Sequence, residues 1–280
     1  MNAIEIKGLC KSFKDFSIDN LDLTVPRGCV VGLVGENGAG KSTTIKLILN
    51  LLRKDSGTVS VLGRDSADGL EQVKEDIGVV FDECCFPSDL NAMAMGRIFR
   101  SAYRNWDSQV YSDFLGKFDL PEKKKIGKFS RGMKMKLSIA AAMSHHAKLL
   151  VLDEATSGLD PVVRDDIIDI IGEFASDEEH SVLISSHIVS DLEKVCDYIA
   201  FMHKGRLMLF EEKDRMYEHY VVIHCTEKEL ADIRPEAVIG KKVGTFGVEA
   251  IILKDAVPKG IQPYPVDIEK LFVFMVKENT

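Results

Sequence analysis

The sequence predicts an α/β fold in which a parallel core sheet is joined by an antiparallel β subdomain, an inserted helical subdomain and a small C-terminal α/β appendage. Three observations indicate this architecture. An apolar run at 29–34 leads through a glycine-rich loop into a helical pattern. Apolar runs at 149–152 and 181–185 enclose a helical pattern at 162–175, which is the order of a parallel βαβ unit. Residues 90–120, which lie between the glycine-rich loop and the run at 149–152, have helical patterns and are rich in aromatic side chains.

The other elements of the main domain follow from shorter patterns. Strand patterns lie on both sides of the glycine-rich loop, at 3–7, 16–18, 21–25, 57–62 and 77–81. The polar segment at 69–75 is a helix candidate, and the helix after the glycine-rich loop has apolar positions as far as Leu52. An alanine-rich helical pattern at 134–145 closes the helical subdomain.

The pattern changes again near residue 214. Short strands at 220–224 and 248–253 lead, through a loop with three prolines, to an amphipathic helix at 267–277. We therefore expect a main domain over 1–213, with its helical subdomain at about 86–146, and an appendage over 214–280.

Composition narrows the class of protein. With 280 residues, 45% of them hydrophobic and 29% charged, the chain is typical of a globular protein, and its net charge of -8 argues against a nucleic-acid partner. We expect no membrane span, because no apolar run approaches about 20 residues, and no secretory leader, because the N-terminus lacks a charged segment followed by an apolar one. The six cysteines lack metal-site spacing and suggest reduced thiols; the adjacent Cys84 and Cys85 are either a redox pair or ordinary loop residues.

The loop at 35–43 reads Gly-Glu-Asn-Gly-Ala-Gly-Lys-Ser-Thr and meets every fixed position of the pattern G-x-x-x-x-G-K-[ST]. Its glycines let successive N–H groups face one anion, and the following helix directs its positive end to the same point. Lys41 would reach the β- and γ-phosphates of a nucleoside triphosphate, and the Ser42 hydroxyl would hold Mg²⁺. A glycine-rich turn without a ligand is the alternative. The predicted nucleotide-binding residues of this loop are Gly35, Asn37, Gly38, Ala39, Gly40, Lys41, Ser42 and Thr43.

Two carboxylates close the apolar strand at 149–152. Asp153 would bind Mg²⁺ directly or through water, and Glu154 would polarise the attacking water. His187 follows the next strand, at the edge where open α/β sheets bind ligands, and would donate to the γ-phosphate. The predicted catalytic residues are therefore Lys41, Glu154 and His187. The alternatives are ordinary strand-end acids and a structural histidine.

A second anion-binding position is predicted at the start of the alanine-rich helix. Ser130 is a good N-cap, and its hydroxyl together with the N–H of Gly132 would face an anion. Taken alone, this feature indicates only a capped helix.

Together these motifs resemble the ATP-binding-cassette (ABC) family of P-loop ATPases over residues 1 to about 213. The match runs through Walker A (35–43), the signature loop (129–133), Walker B (149–154), the D-loop (157–160) and the switch histidine, His187. The resemblance implies that Asp160 also contacts nucleotide and that Phe13 stacks on adenine, with Phe16 as the weaker candidate. It further implies a dimer, of identical or different subunits, in which Ser130 and Gly132 of one subunit face the phosphate loop of the other.

Some positions depart from the family pattern. Asp82 stands where the family usually has the glutamine of the Q-loop, so we expect a role beside the metal, with an inert loop acid as the alternative. Arg131 and Met133 replace a common glycine and glutamine, and Ala155 replaces a common proline. Glu154 and His187 are both present, so we expect the site to be active.

Asp82 and the short sequences at 105–107, 117–121 and 160–164 look most like ATPases of bacterial ABC-2-type exporters, including those for phenol-soluble modulins and antimicrobial peptides. The resemblance implies an ATPase that uses ATP and Mg²⁺ and works in the cytoplasm, on the inner face of the membrane. Separate integral-membrane permease subunits would be its partners, docked on the aromatic-rich segment at 86–118, although most of those aromatic residues could equally form core. A soluble cassette ATPase of translation or repair, a nucleotide-sensing regulator and an importer ATPase are the alternatives.

Overall fold

A computed structural model describes residues 2–245 and 247–278. Its strands, in chain order, are β1 (Asn2–Ser12), β2 (Ser17–Pro26), β3 (Val30–Val34), β4 (Ser56–Val61), β5 (Arg64–Asp65), β6 (Ile77–Val80), β7 (Leu149–Asp153), β8 (Ser181–Ser186), β9 (Tyr198–His203), β10 (Arg206–Glu212), β11 (Tyr220–Cys225), β12 (Val238–Gly244), β13 (Gly247–Leu253) and β14 (Tyr264–Pro265). Its helices are α1 (Lys41–Ile48), α2 (Ala92–Ala102), α3 (Ser108–Lys117), α4 (Arg131–Met143), α5 (Pro161–Ala175), α6 (Val189–Val195), α7 (Lys213–His219), α8 (Glu227–Ala231) and α9 (Ile268–Glu278).

The strands form three sheets, of which the central one has six strands in the order β10-β9-β3-β8-β7-β6. Strands β9, β3, β8, β7 and β6 run parallel, and only β10 is antiparallel to its neighbour. The predicted parallel core, antiparallel subdomain and helical insertion are confirmed. Because the carboxyl ends of parallel strands share one edge, the residues that follow β3, β7 and β8 come together there.

The antiparallel subdomain has the order β2-β1-β4-β5. The two strand patterns predicted at 16–18 and 21–25 belong to one strand, β2, with a register shift against β1 around Asn20, whose φ is 46°. The predicted helix at 69–75 is wrong: the segment forms two 3₁₀ turns, Leu70–Gln72 and Lys74–Asp76. Its backbone hydrogen bonds are of the i→i+3 type, from the Gln72 N–H to the Gly69 carbonyl at 3.1 Å and from the Val73 N–H to the Leu70 carbonyl at 3.0 Å, and such turns rarely extend beyond three or four residues.

Helix α1 ends earlier than its apolar pattern predicts. Asn50 adopts a left-handed conformation with φ 53°, and the N–H groups of Leu51 and Leu52 return to the carbonyl of Lys46. This capping arrangement satisfies a carbonyl at the end of the helix and turns the chain away before Leu52.

Helices α2, α3 and α4 form the inserted subdomain, and its aromatic side chains mostly face inward. The Phe99 ring stacks on Trp106 with centroids 5.4 Å apart, and the Tyr111 hydroxyl donates to the Ala92 carbonyl at 3.0 Å. Phe86 and Phe114 are half-buried against the same core. Of the two interpretations of the 86–118 aromatics, the structure therefore favours core.

The C-terminal residues form a four-stranded antiparallel sheet in the order β12-β13-β11-β14, with α9 against β12. The predicted strands and terminal helix are present, whereas β12 was not predicted. Helix α9 also reaches the main domain, because the Phe272 ring lies 5.2 Å from that of Phe201 on β9. The division of the chain near residue 213 stays a prediction, since both parts share this core. None of the helices described above combines the length and the hydropathy that a bilayer-spanning segment requires.

Candidate functional site

The loop at 35–43 joins β3, which is entirely buried, to α1. Two of its glycines are required by close approaches: a Cβ on Gly35 would come within 2.5 Å of the Met202 carbonyl oxygen, and Gly40 has φ 109° with Phe16 and Ile18 against it. Gly38 has φ 85° and faces open space. Helix α1 starts after Gly40 without a side-chain cap or an acidic residue in its first turn. Its first N–H groups are thus available to an anion.

Lys41 is almost fully buried beneath this loop, with 5% of the residue exposed. Its Nζ donates to the Gly35 carbonyl at 2.6 Å and to the Glu36 carbonyl at 3.2 Å. It also lies 2.9 Å from Glu154 Oε1, forming an ion pair. The phosphate-loop lysine and the predicted base therefore neutralise each other, and an incoming phosphate would compete with Glu154 for the lysine.

Glu154 follows β7 in a left-handed backbone conformation, with φ 52°. Its backbone N–H is shared between the carbonyl and the hydroxyl of Ser185, both at 3.1 Å. Its Oε2 accepts a hydrogen bond from His187 Nδ1 at 2.7 Å. The structure thus brings together the three residues predicted to be catalytic, Lys41, Glu154 and His187.

Asp153, one residue earlier, is 2% exposed and fits one side of a Mg²⁺ site. Its Oδ1 accepts hydrogen bonds from Ser42 Oγ at 2.9 Å and Ser185 Oγ at 2.7 Å. Burial raises the pKa of Asp153, the two hydroxyls oppose this, and the charges of Asp82 and Glu154 raise the pKa further. A buried carboxylate beside other carboxylates is the environment that a divalent cation neutralises.

The described residues contain no group of three His, Cys, Asp or Glu side chains placed to hold a metal. Ser42 and Asp153 would therefore supply only part of the ligand set of Mg²⁺, and phosphate oxygens and water would supply the rest, as Mg²⁺ commonly requires. Asp82 is exposed on the loop after β6, where it lines a cleft of about 330 Å³ with Arg131 and Lys134. Its role beside the metal stays a prediction.

Phe13 and Phe16 lie on the hairpin loop between β1 and β2. Phe13 is 43% exposed, stacks on Phe16 with centroids 6.2 Å apart, and has Lys11 Nζ 5.7 Å from its ring centroid. Phe16 is half-buried and packs against Gly40. Phe13 thus presents an exposed aromatic ring, and Phe16, on which it stacks, packs against Gly40 of the phosphate loop.

Ser130 and Gly132 lie elsewhere in the chain. Ser130 caps α4 by accepting from the Met133 N–H at 3.2 Å, and a Cβ on Gly132 would lie 3.1 Å from Val163 on α5. Asp160 caps α5 by accepting from the Val163 N–H at 3.1 Å. Within the described residues, no hydrogen bond or ion pair joins Ser130 or Gly132 to the loop at 35–43.

Ser185 was not predicted as a site residue. It is fully buried and pairs in register with Asp153 across β7 and β8. The available signal was its place near the carboxyl end of the strand before His187, beside a strand that ends in two carboxylates.

Comparison with known proteins agrees with this geometry. The family model described as "ABC transporter" matches residues 18–157. The bacitracin transport ATP-binding protein BcrA of Bacillus licheniformis is 34% identical over 69% of this chain and 63% of its own length. The lantibiotic transport ATP-binding protein SrtF of Streptococcus pyogenes is 34% identical over 75% of this chain and 91% of its own. A solved ATP-binding subunit of an ABC transporter is 28% identical, with a TM-score of 0.68 over 77% of this chain and 92% of that one.

Proposed function

The chain belongs to the ABC transporter ATP-binding family, and on that basis we propose that it is the ATPase subunit of a bacterial exporter with separate transmembrane subunits. As an ABC ATPase it hydrolyses ATP for transport. The observation that carries the proposal is Glu154, held between Lys41 and His187 at the mouth of the phosphate loop.

The contacts of Glu154 suggest how hydrolysis would begin. Phosphate oxygens would take Lys41 from Glu154, because a triphosphate carries more negative charge than one carboxylate. Glu154 would then accept the proton of the attacking water, while His187 holds the carboxylate in place and faces the developing charge. When bound, Mg²⁺ would neutralise charge on the transferred phosphoryl group. Ser42 and Asp153 are the residues that would hold it.

We propose a dimer as the active form. Ser130 and Gly132 lie at the start of α4, beside α5, and make no hydrogen bond to the phosphate loop of the described chain. A second subunit would bring its signature loop over the bound nucleotide, so closure would depend on ATP and opening on phosphate release.

The exporter assignment rests on the relatives whose names refer to transport of bacitracin and a lantibiotic. We propose antimicrobial or amphipathic peptides as the substrate class, as for phenol-soluble-modulin exporters, and the inner face of the cell membrane as the site of action. Met93 and Ile98 are exposed on α2 and offer apolar contacts for a permease subunit. An ATPase of translation or repair and an importer ATPase are the other candidates, and no contact in the described residues favours either.

Steady-state hydrolysis tests the assigned base. Glu154→Gln should lower ATP turnover at least about 100-fold, the usual contribution of a general base, while ATP binding persists. Glu236→Gln is the control, because it makes the same carboxylate-to-amide change at an exposed residue outside the phosphate-loop site. Turnover retained in Glu154→Gln would remove that residue as the base.

Purification from membranes tests the partner. The tagged chain, expressed in its native host, should copurify with an integral-membrane protein from detergent extracts. Recovery with ribosomes or DNA-repair proteins instead would contradict the exporter proposal.

A further inference from the structure

Ser185 is a buried polar residue at the site for which the mechanism above has no use. It is fully enclosed near the end of β8 and pairs in register with Asp153 of β7. Its hydroxyl donates to Asp153 Oδ1 at 2.7 Å and accepts from the Glu154 N–H at 3.1 Å. One hydroxyl therefore bridges the predicted metal ligand and the predicted base.

The two hydrogen bonds of this hydroxyl are not equally important. The Glu154 N–H also reaches the Ser185 carbonyl at 3.1 Å, so this donor keeps a partner if the hydroxyl is removed. The hydroxyl's own proton, in contrast, goes to a carboxylate that is 2% exposed and has few other sources of solvation. The donation to Asp153 is the interaction that a smaller side chain would lose.

Asp153 Oδ1 has two hydroxyl donors, Ser42 and Ser185, and they are anchored differently. Ser42 belongs to the phosphate loop and is itself a predicted ligand of Mg²⁺, so its position depends on the bound nucleotide. Ser185 belongs to a strand that is hydrogen-bonded on both sides, to β3 and to β7, so the sheet fixes its backbone position. Ser185 is thus the hydroxyl donor that holds the Asp153 carboxylate from within the sheet.

We propose that Ser185 is a positioning residue: it orients the Asp153 carboxylate toward the cation and supports the left-handed turn that presents Glu154. The inference rests on the proposed function, since it concerns Mg²⁺-dependent use of ATP at the same site. Outer hydrogen-bond partners of metal ligands commonly change metal affinity or activity by about 10- to 100-fold.

The test uses Ser185→Ala and, as a matched control, Ser181→Ala. Ser181 lies on the same strand, is equally buried, and its hydroxyl accepts one hydrogen bond from the Gly28 N–H at 3.0 Å, at the strand end away from the site. Binding of a non-hydrolysable ATP analogue is measured by calorimetry, with Mg²⁺ and with EDTA. Thermal unfolding and turnover are recorded for each variant.

We expect Ser185→Ala to lose about tenfold of the affinity gained from Mg²⁺, to need more Mg²⁺ for half-maximal turnover, and to bind the analogue normally in EDTA. Ser181→Ala should match the wild type in all three, although both variants lose thermal stability. Ser185→Thr, which keeps the hydroxyl, should restore the Mg²⁺ effect. If Ser185→Ala does not fold, Ser185→Cys, with a weaker donor, should show an intermediate loss.

Equal Mg²⁺ dependence in Ser185→Ala and Ser181→Ala would overturn the inference while leaving the proposed function intact. A wild type that binds the analogue neither with nor without Mg²⁺ would overturn the proposed function itself. The EDTA titration separates these two results.

Discussion

Glu154 is held in a backbone conformation that costs a non-glycine residue about 1–2 kcal/mol. Such strain persists only where surrounding contacts maintain it, here the Ser185 carbonyl and hydroxyl on one side and Lys41 and His187 on the other. The conformation turns the carboxylate out of the sheet and toward the phosphate loop. Because this conformation costs folding free energy, the position of Glu154 is explained by the chemistry of the site and not by stability.

Asp153 should destabilise the nucleotide-free protein. A carboxyl whose pKa is raised on folding adds stability below its usual pKa range and loses that contribution as the pH rises through the folded-state value. At pH 7–8 the buried charge is therefore unfavourable. We expect Asp153→Asn to raise Tm by a few degrees, the effect of about 1 kcal/mol in a chain of this size, and to abolish Mg²⁺-dependent hydrolysis. Calorimetry of both proteins should show the difference in Tm shrinking as the pH falls from neutral through the raised pKa of Asp153 toward the usual carboxyl range.

Asp191 provides the control for that variant. It is equally buried but lies 3.8 Å from Arg164 Nε, so Asp191→Asn would leave a guanidinium without its counter-charge and should lower Tm. If Asp153→Asn also lowered Tm at pH 7–8, the buried charge of Asp153 would not be unfavourable in the nucleotide-free protein, and this prediction would be wrong.

The sequence was sufficient to place Lys41, Asp153, Glu154 and His187 at one site, because each follows or ends a strand of the same parallel sheet. It could not show the ion pair between Lys41 and Glu154, which depends on side-chain conformations. Nor could it show the hydroxyl bridge from Ser185, which depends on the register between β7 and β8.

Among the elements, the β9–β10 hairpin shows what local patterns leave out. The prediction did not include either strand. Both extend the core sheet, and Met202 of β9 packs against Gly35 and Gly40 of the phosphate loop. The signal was present: an apolar run at 199–202 precedes Lys204-Gly205, which form a two-residue turn with φ 44° and 79°. Positive φ at both positions is typical of the tight turns that join antiparallel strands.

Helix α9 was predicted correctly, but its partners were not. An amphipathic pattern shows that a helix has an apolar face and does not show which surface covers that face. Here the covering surface includes β9 of the core sheet, through the contact between Phe272 and Phe201, and α6, where Glu193 accepts from the Ile268 N–H at 3.1 Å.

Phe272→Ala should therefore lower the stability of the main domain as well as that of the appendage. Removing this ring would leave a cavity against Phe201, at a cost of about 3 kcal/mol in the free energy of unfolding, measured by urea denaturation. Val273→Ala, on the exposed side of the same helix, should change it by less than about 0.5 kcal/mol. Equal effects of the two substitutions would show that α9 does not pack on the core sheet.

At the scale of the whole molecule, the two predicted anion-binding parts of the site lie on different elements. The phosphate loop, Asp153, Glu154 and His187 share the carboxyl edge of the core sheet, whereas Ser130 and Asp160 cap α4 and α5. The helical subdomain that carries Ser130 shares one continuous apolar core with the central sheet. This arrangement suits a site that is completed by a second subunit.

The composite site between two subunits is tested by the molar mass of Glu154→Gln with ATP and Mg²⁺, measured by size-exclusion chromatography with light scattering. We expect a shift from the monomer of 31.1 kDa to about twice that mass, because bound ATP joins two chains. Adding Ser130→Arg should keep the protein monomeric while it still binds ATP. A Glu154→Gln protein that stays monomeric, or a double variant that dimerises equally well, would contradict the composite site.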